Sequence, residues 1–86
     1  MKIDFEKFAL YEGIERNRKV ISNVRVTLAD ELYRRGQGIT FHALALKIYN
    51  TEGETEFSEE EFALLLLFAE QCMSPCFFDS LKALKP

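Results

Sequence analysis

The chain has 86 residues, of which 48% are hydrophobic and eight are phenylalanine, and its formal net charge at pH 7 is −3. A chain of this length makes one domain with one core and leaves no room for a large substrate cavity as well. The apolar run at residues 62–69 is far shorter than the span of about 20 residues that crosses a bilayer. Because the N-terminus also lacks an apolar signal segment, we expect a soluble cytoplasmic protein with no membrane partner.

The charges are unevenly distributed along the chain. Residues 1–47 hold nine Lys or Arg and six Asp or Glu, whereas residues 48–86 hold two and eight. Such an asymmetry can orient self-association or steer a partner. The alternative, that both halves are ordinary solvated surfaces, stays open.

Residues 1–17 fit two local structures. Residues 2–5 alternate between polar and apolar like a strand, whereas the spacing of Phe5, Phe8 and Ala9 fits a helix. Residues 54–57 alternate in the same way, so one interpretation pairs them with residues 2–5 in a small sheet that the helices must support. The β-branched residues of segment 19–21 fit either a strand or an early helical turn.

Helices are predicted near residues 23–35 and 39–49. The first places Leu28 and Leu32 on one face, and Gly36 is a typical stop signal after it. The second is apolar on nearly all sides, which predicts close packing against the next helix, with the small side chains of Ala43 and Ala45 at the contact.

Two further helices are predicted near residues 58–73 and 75–84. Ser58 followed by Glu61 is typical of a capping box, and Ser74 before Pro75 is typical of a cap with proline at the first helical position. The helix at 58–73 is apolar all round, so it must lie at the centre of the core or bury a second face against a partner. The sequence therefore predicts a mainly α single domain, 1–86, with about four helices and an irregular or partly β N-terminal segment.

Metal sites and catalytic motifs find little support. With Gly53 at the sixth position of a calcium loop, Ile48 falls at the first position, which requires an oxygen ligand. Cys72, Cys76 and His42 are one ligand short of a structural zinc site. No phosphate-binding loop or nucleophile elbow occurs. We therefore expect a protein that is not an enzyme and uses no cofactor or metal.

Nucleic-acid binding is the alternative hypothesis. The helices at 23–35 and 39–49 have the spacing of a helix-turn-helix, but residues 40–47 carry almost no side chains that read base edges. A basic N-terminal patch would contact phosphates instead. Its candidate residues are Arg16, Arg18, Lys19 and Arg25.

Protein association is the favoured hypothesis. Leu64, Leu67 and Phe68 form a second apolar face on the helix at 58–73, and the adjacent Phe77 and Phe78 cannot both point inward from one helix. Apolar and aromatic side chains of this kind are typical of interfaces. The sequence predicts an interaction or regulatory module that self-associates as a homodimer through these five residues. The alternative, that a bundle buries all of these faces in its own core, stays open.

Overall fold

The computed structural model describes residues 1–85; the last residue of the predicted domain, Pro86, lies outside that range. Its elements, in chain order, are β1 (Lys2–Asp4), β2 (Phe8–Tyr11), β3 (Lys19–Ser22), α1 (Arg25–Arg35), α2 (Ile39–Asn50), β4 (Glu54–Glu56), α3 (Glu59–Cys72) and α4 (Pro75–Lys82). The four helices agree with the prediction. Two antiparallel two-stranded sheets give the fold more β structure than a partly β N-terminus implied.

The first sheet confirms the pairing that the two alternating segments indicated. β1 lies antiparallel to β4 with Ile3 opposite Thr55, and the Phe57 N–H donates to the Met1 carbonyl oxygen at 2.7 Å. Ile3 and Thr55 are buried whereas Glu54 and Glu56 are exposed. The alternation of polar and apolar residues in β1 and β4 therefore arises because one face of each strand lies on the core and the other faces water.

The second sheet decides the ambiguity of the other N-terminal segments. β2 lies antiparallel to β3 with Leu10 opposite Val20, so segment 19–21 is a strand and the helical interpretation of Phe8 and Ala9 is wrong. If this segment were a helix, the backbone groups of β3 that pair with β2 would have no partner. Both the N–H and the carbonyl of Tyr11 are bound by side chains of α4, a contact between residues far apart in sequence.

The helix signals in the sequence are largely confirmed. The Glu61 N–H donates to Ser58 Oγ at 3.1 Å and the Ser58 N–H donates to Glu61 Oε1 at 2.9 Å, which completes the capping box. The Phe77 N–H donates to Ser74 Oγ at 3.2 Å at the start of α4. α1 begins two residues later than predicted, and α4 ends at Lys82 rather than near Leu84.

α2 packs most closely against α1, not against α3 as predicted. The buried Ala29 and Ala45 lie between the two helices, while Ala43 is exposed. α3 touches α2 through longer side chains, with the rings of Phe41 and Phe68 5.9 Å apart between centroids. The three-residue turn after α1 explains the preference, because a short connection makes consecutive helices antiparallel neighbours.

A chain of phenylalanine rings connects both sheets to α4. The centroid distances are 5.9 Å from Phe57 to Phe5, 5.5 Å from Phe5 to Phe8, and 5.2 Å from Phe8 to Phe77. All four side chains are buried. Two sheets of two strands each, neither stable alone, thus share one aromatic core.

The turn between α1 and α2 requires its two glycines for different reasons. Gly36 has an extended backbone with a φ of −68°, so it does not end α1 in a left-handed conformation. A Cβ at Gly36 would lie 2.5 Å from the Leu32 carbonyl oxygen and 2.6 Å from Phe41 Cβ. Gly38, with φ 91° and ψ 169°, occupies a region that only glycine adopts without strain.

One carboxylate connects the start of α3 to α2. Lys47 Nζ donates to both carboxylate oxygens of Glu61 at 3.0 Å. The hydrogen bond from the Ser58 backbone and the Lys47 ammonium lower the pKa of Glu61 below its ordinary value of 4.5, against a smaller opposing effect of burial. The folded state therefore favours the ionised form of this side chain.

Gly36→Ala is expected to destabilise the protein by about 1–3 kcal/mol, because the new Cβ must displace Phe41 or the end of α1. Gly13→Ala is the matched control, since a Cβ at Gly13 has no atom within 4 Å. Urea denaturation of both variants measures the difference. Equal free energies of unfolding for the two variants would show that the turn accommodates the new Cβ without a loss of stability.

Glu61→Gln is expected to lower the free energy of unfolding at neutral pH and to have little effect in acid. A depressed pKa stabilises the folded protein above about pH 4.5, and this contribution is lost as the pH falls through the lower folded value. Denaturation of the wild type and the variant from pH 7 to pH 3 should give curves that converge in acid. Glu60→Gln, which removes an exposed carboxylate of the same helical turn, is the control; a gap that stayed constant with pH would contradict the assignment.

Candidate protein-interaction face

Several apolar and aromatic side chains are exposed on the outer sides of α1 and α2, and we call this surface the α1–α2 face. Its residues are Val26, Asp30 and Tyr33 of α1 together with Ile39, His42, Leu46 and Tyr49 of α2, and the exposed Arg34 lies at its edge, one helical turn from Asp30. The Tyr33 side chain is 65% exposed, Tyr49 52% and Leu46 46%. These positions face away from the buried stripe of Leu28, Ala29 and Leu32 on α1, so the pairing of the two helices places them side by side.

A shallow groove of about 230 Å³ runs along the middle of this face. Tyr33 and Asp30 line one side, Leu46 and Tyr49 line the other, and the two buried alanines form the floor. The Tyr33 and His42 rings lie 5.6 Å apart between centroids. This contact joins α1 to α2 beside the groove.

Few charged residues lie on or beside the α1–α2 face, and they are free to pair with charges of a partner. Asp30 and Arg34 lie one helical turn apart on the exposed side of α1, and within residues 1–85 neither side chain forms an ion pair within 4 Å. The neighbouring Arg35 instead binds Glu31 at 2.9 Å. One acid and one base therefore remain free to meet opposite charges on a partner.

The candidate interface predicted on α3 and α4 is largely not a surface. Phe68 and Phe77 are both 3% exposed and belong to the core, which corrects the expectation that they face a partner. Leu64 and Phe78 are half-buried against the core, and only Leu67, at 47%, is exposed. The physical reason is that α4 and α1 pack on α3 and that Phe41 of α2 meets Phe68, so these elements cover its inward apolar side.

A second, larger groove borders the N-terminal half of α3. Its volume is about 620 Å³, and it is lined by Phe62, Ala63 and Leu66 with Met1, Glu59 and Lys85 at its edges. It contains no aromatic side chain that is exposed, since Phe62 is buried. Substitutions on α3 can therefore serve as controls for substitutions on the α1–α2 face.

The predicted basic patch is partly neutralised within the fold. Arg16 Nη2 lies 2.7 Å from Asp79 Oδ2, and Arg18 Nε lies 3.1 Å from Glu12 Oε2. Lys19 Nζ lies 5.1 Å from the centroid of the Tyr11 ring. These contacts reduce the positive charge available for phosphates, although such exposed pairs are weak, with a median of about 0–1 kcal/mol.

Arg25, the fourth residue of that patch, connects three segments of the fold. Its Nη1 donates to the Tyr49 carbonyl oxygen at the end of α2, its guanidinium lies 5.8 Å from the Tyr49 ring centroid, and its Nε lies 3.7 Å from Glu6 Oε2. Glu6 in turn accepts a hydrogen bond from the Gly53 N–H at 2.6 Å. A planar guanidinium can make these contacts at once, which an ammonium cannot.

The residues considered for metal binding do not assemble. Within residues 1–85 no group of three or more His, Cys, Asp or Glu side chains is placed to hold a metal ion. The His42 ring packs at a tilt of 43° against the Tyr33 ring, and the Cys76 thiol donates to the Tyr11 carbonyl oxygen at 2.6 Å. Both cysteines are free thiols.

Comparison with known proteins identifies no relative: no family model, no curated protein and no solved structure matches the chain. In the part of the chain that the structure describes, no helix combines the length and the apolarity needed to cross a membrane. The α1–α2 face was not predicted from the sequence. The available signal was that Tyr33, Leu46 and Tyr49 all fall outside the buried stripes of their helices.

Arg25→Lys is expected to lower the free energy of unfolding by about 1–2 kcal/mol, because the charged hydrogen bond to the Tyr49 carbonyl and the reach to Glu6 are lost together. Arg18→Lys, at an exposed ion pair, is expected to change it by no more than about 0.5 kcal/mol. Chemical denaturation of both variants is the measurement. A smaller loss for Arg25→Lys than for Arg18→Lys would show that the Arg25 contacts contribute nothing.

Proposed function

We propose that this protein is a non-enzymatic interaction or regulatory module that associates with a second copy of itself through the α1–α2 face. The observation that carries the proposal is the exposure of two tyrosines and a leucine around one groove. Tyrosine supplies a large contact area at a low cost in side-chain entropy and is enriched in interfaces. An isolated exposed apolar residue would need no such explanation.

The charges on the face support a second copy as the occupant. Asp30 and Arg34 have opposite signs and neither is paired within residues 1–85. In a two-fold dimer the same patch meets itself, so Asp30 of one copy can lie beside Arg34 of the other. A face of this composition is complementary to itself in both apolar and charged groups.

The size of the face predicts a weak association. Helices of 11 and 12 residues are about 17 Å long, and two such helices side by side, each about 10 Å wide with its side chains, present roughly 340 Å² in projection. Stable interfaces of standard size bury about 800 Å² from each partner. A reversible dimer that depends on protein concentration is therefore the expected form.

A cytoplasmic location is part of the proposal. Free cysteines persist in reducing compartments, and the two thiols of this chain are unpaired. Nucleic-acid binding through Arg16, Arg18, Lys19 and Arg25 remains the alternative function. It is less favoured because Arg25 has a structural role and because two of the other three side chains already have carboxylate partners.

Leu46→Glu is expected to weaken self-association at least tenfold, which corresponds to about 1.4 kcal/mol, because it places a charge in the groove. Leu67→Glu is the matched control, since it changes a helical leucine of equal exposure on α3. Sedimentation equilibrium over a wide range of concentrations measures the dissociation constant of each variant.

A wild-type protein that stays monomeric at the highest concentration would overturn the proposal. A dimer that Leu67→Glu disrupts and Leu46→Glu leaves intact would move the interface to α3. Circular dichroism of both variants shows whether either change alters the fold instead of the association.

A further inference from the structure

The sheet formed by β2 and β3 has one closed edge and one open edge. On the outer side of β2 the Tyr11 N–H donates to Ser80 Oγ at 2.8 Å, and the Tyr11 carbonyl accepts from the Cys76 thiol. Ser80 is itself held by a hydrogen bond to the Cys76 carbonyl at 2.7 Å. α4 therefore covers this edge and satisfies the outward backbone groups of Tyr11, and no third strand joins the sheet within residues 1–85.

The register shows which backbone groups of β3 remain unused. The Glu12 N–H donates to the Arg18 carbonyl at 2.9 Å, so Arg18 and, by alternation along the strand, Val20 turn their backbone groups toward β2. Lys19 and Ile21 then turn their N–H and carbonyl groups outward. No turn, loop or side-chain hydrogen bond of the described residues uses these groups.

The side chains of this edge are also exposed. Ile21 is 64% exposed and Val20 46%, and both are β-branched residues that suit a strand with neighbours on either side. Folded proteins usually protect an open edge with proline, a bulge or a covering element. In this protein the open edge is protected by the short length of β3 and by the single positive charge of Lys19.

The charge of the segment selects the occupant. Residues 16–25 contain four basic residues and no acidic residue. Lys19 forms no ion pair within residues 1–85, and the pairs of Arg16 and Arg18 lie on the exposed surface, where they exchange readily for other partners. A β-strand complements the outward backbone groups along the whole edge, and an acidic strand also complements these side chains.

We propose that the open edge of β3 binds an extended acidic segment of a partner protein, which adds as a third strand to the β2–β3 sheet. Lys19 and Ile21 share one face of the sheet, so the bound segment carries a carboxylate opposite Lys19 and an apolar residue opposite Ile21. This site is separate from the α1–α2 face and does not depend on self-association.

The test uses the full chain and a fluorescein-labelled synthetic peptide in which glutamate and valine stand two residues apart, so that both lie on one face of the strand, with threonine at the positions between them. Fluorescence anisotropy measures binding, and amide hydrogen exchange by NMR locates it. Binding is expected to protect the amides of Lys19 and Ile21, whereas the Val20 amide, which faces β2, is the internal control. A peptide with lysine in place of glutamate is expected to bind more weakly.

Two variants separate the backbone from the charge. Ile21→Pro removes an outward N–H that β2 does not use, and proline is tolerated at such edge positions; it is expected to weaken binding about tenfold. Lys19→Glu is expected to weaken it about fivefold or more through the lost cross-strand pair. Lys19→Glu keeps the test decisive if the proline variant does not fold.

Four results would overturn the proposal. The first is the absence of peptide binding at low salt, and the second is binding that leaves the Lys19 and Ile21 amides exchanging as before. The third is protection of these amides in concentrated protein alone, which would identify a second copy as the occupant. Binding of a single-stranded oligonucleotide in place of the peptide would assign the edge to nucleic acid and would also overturn it.

Discussion

The packing of four phenylalanine rings is the contact on which the rest of the fold depends. Phe57, Phe5, Phe8 and Phe77 connect the two sheets to each other and to α4. Truncating one such ring in a core costs about 3–5 kcal/mol, which is close to the whole stability of a small domain at the lower end of its usual range. Without these contacts neither sheet has enough strands to persist.

The fold separates its aromatic residues by type. All eight phenylalanines are buried or half-buried, whereas Tyr33 and Tyr49 are exposed. This division follows from chemistry, because a tyrosine hydroxyl in the core would need a hydrogen-bond partner that this small core does not offer. The apolar surface that remains outside lies mainly on the α1–α2 face and along β3, and these are the two surfaces proposed to bind partners.

The uneven charge of the two halves is partly used inside the molecule. Arg16 pairs with Asp79, Lys47 with Glu61, and the N-terminal amine with Glu56, so each pair joins the basic half to the acidic half. The asymmetry therefore supplies ion pairs that join the two halves of the chain at three places. Most of these pairs are exposed, which makes them better suited to fixing orientation than to adding stability.

The sequence alone determined the elements whose signals are local. The capping box at Ser58, the Ser74 and Pro75 start of α4 and the alternation in β1 and β4 each depend on residues a few positions apart, and each was predicted. Which helix packs on α2, and whether Phe68 faces the core or a partner, depends on segments distant in the chain. A helix that is apolar all round gives no local sign of which side its neighbours cover.

Local sequence signals do not predict the candidate binding surfaces either. Tyr33, Leu46 and Tyr49 belong to different helices, and the turn held by Gly36 brings them together only in three dimensions. The basic residues 16–25 were visible in the sequence, but their carboxylate partners and the open edge of β3 were not. Only the tertiary structure decided these points, because the alternation of backbone hydrogen bonds follows from strand register rather than from residue type.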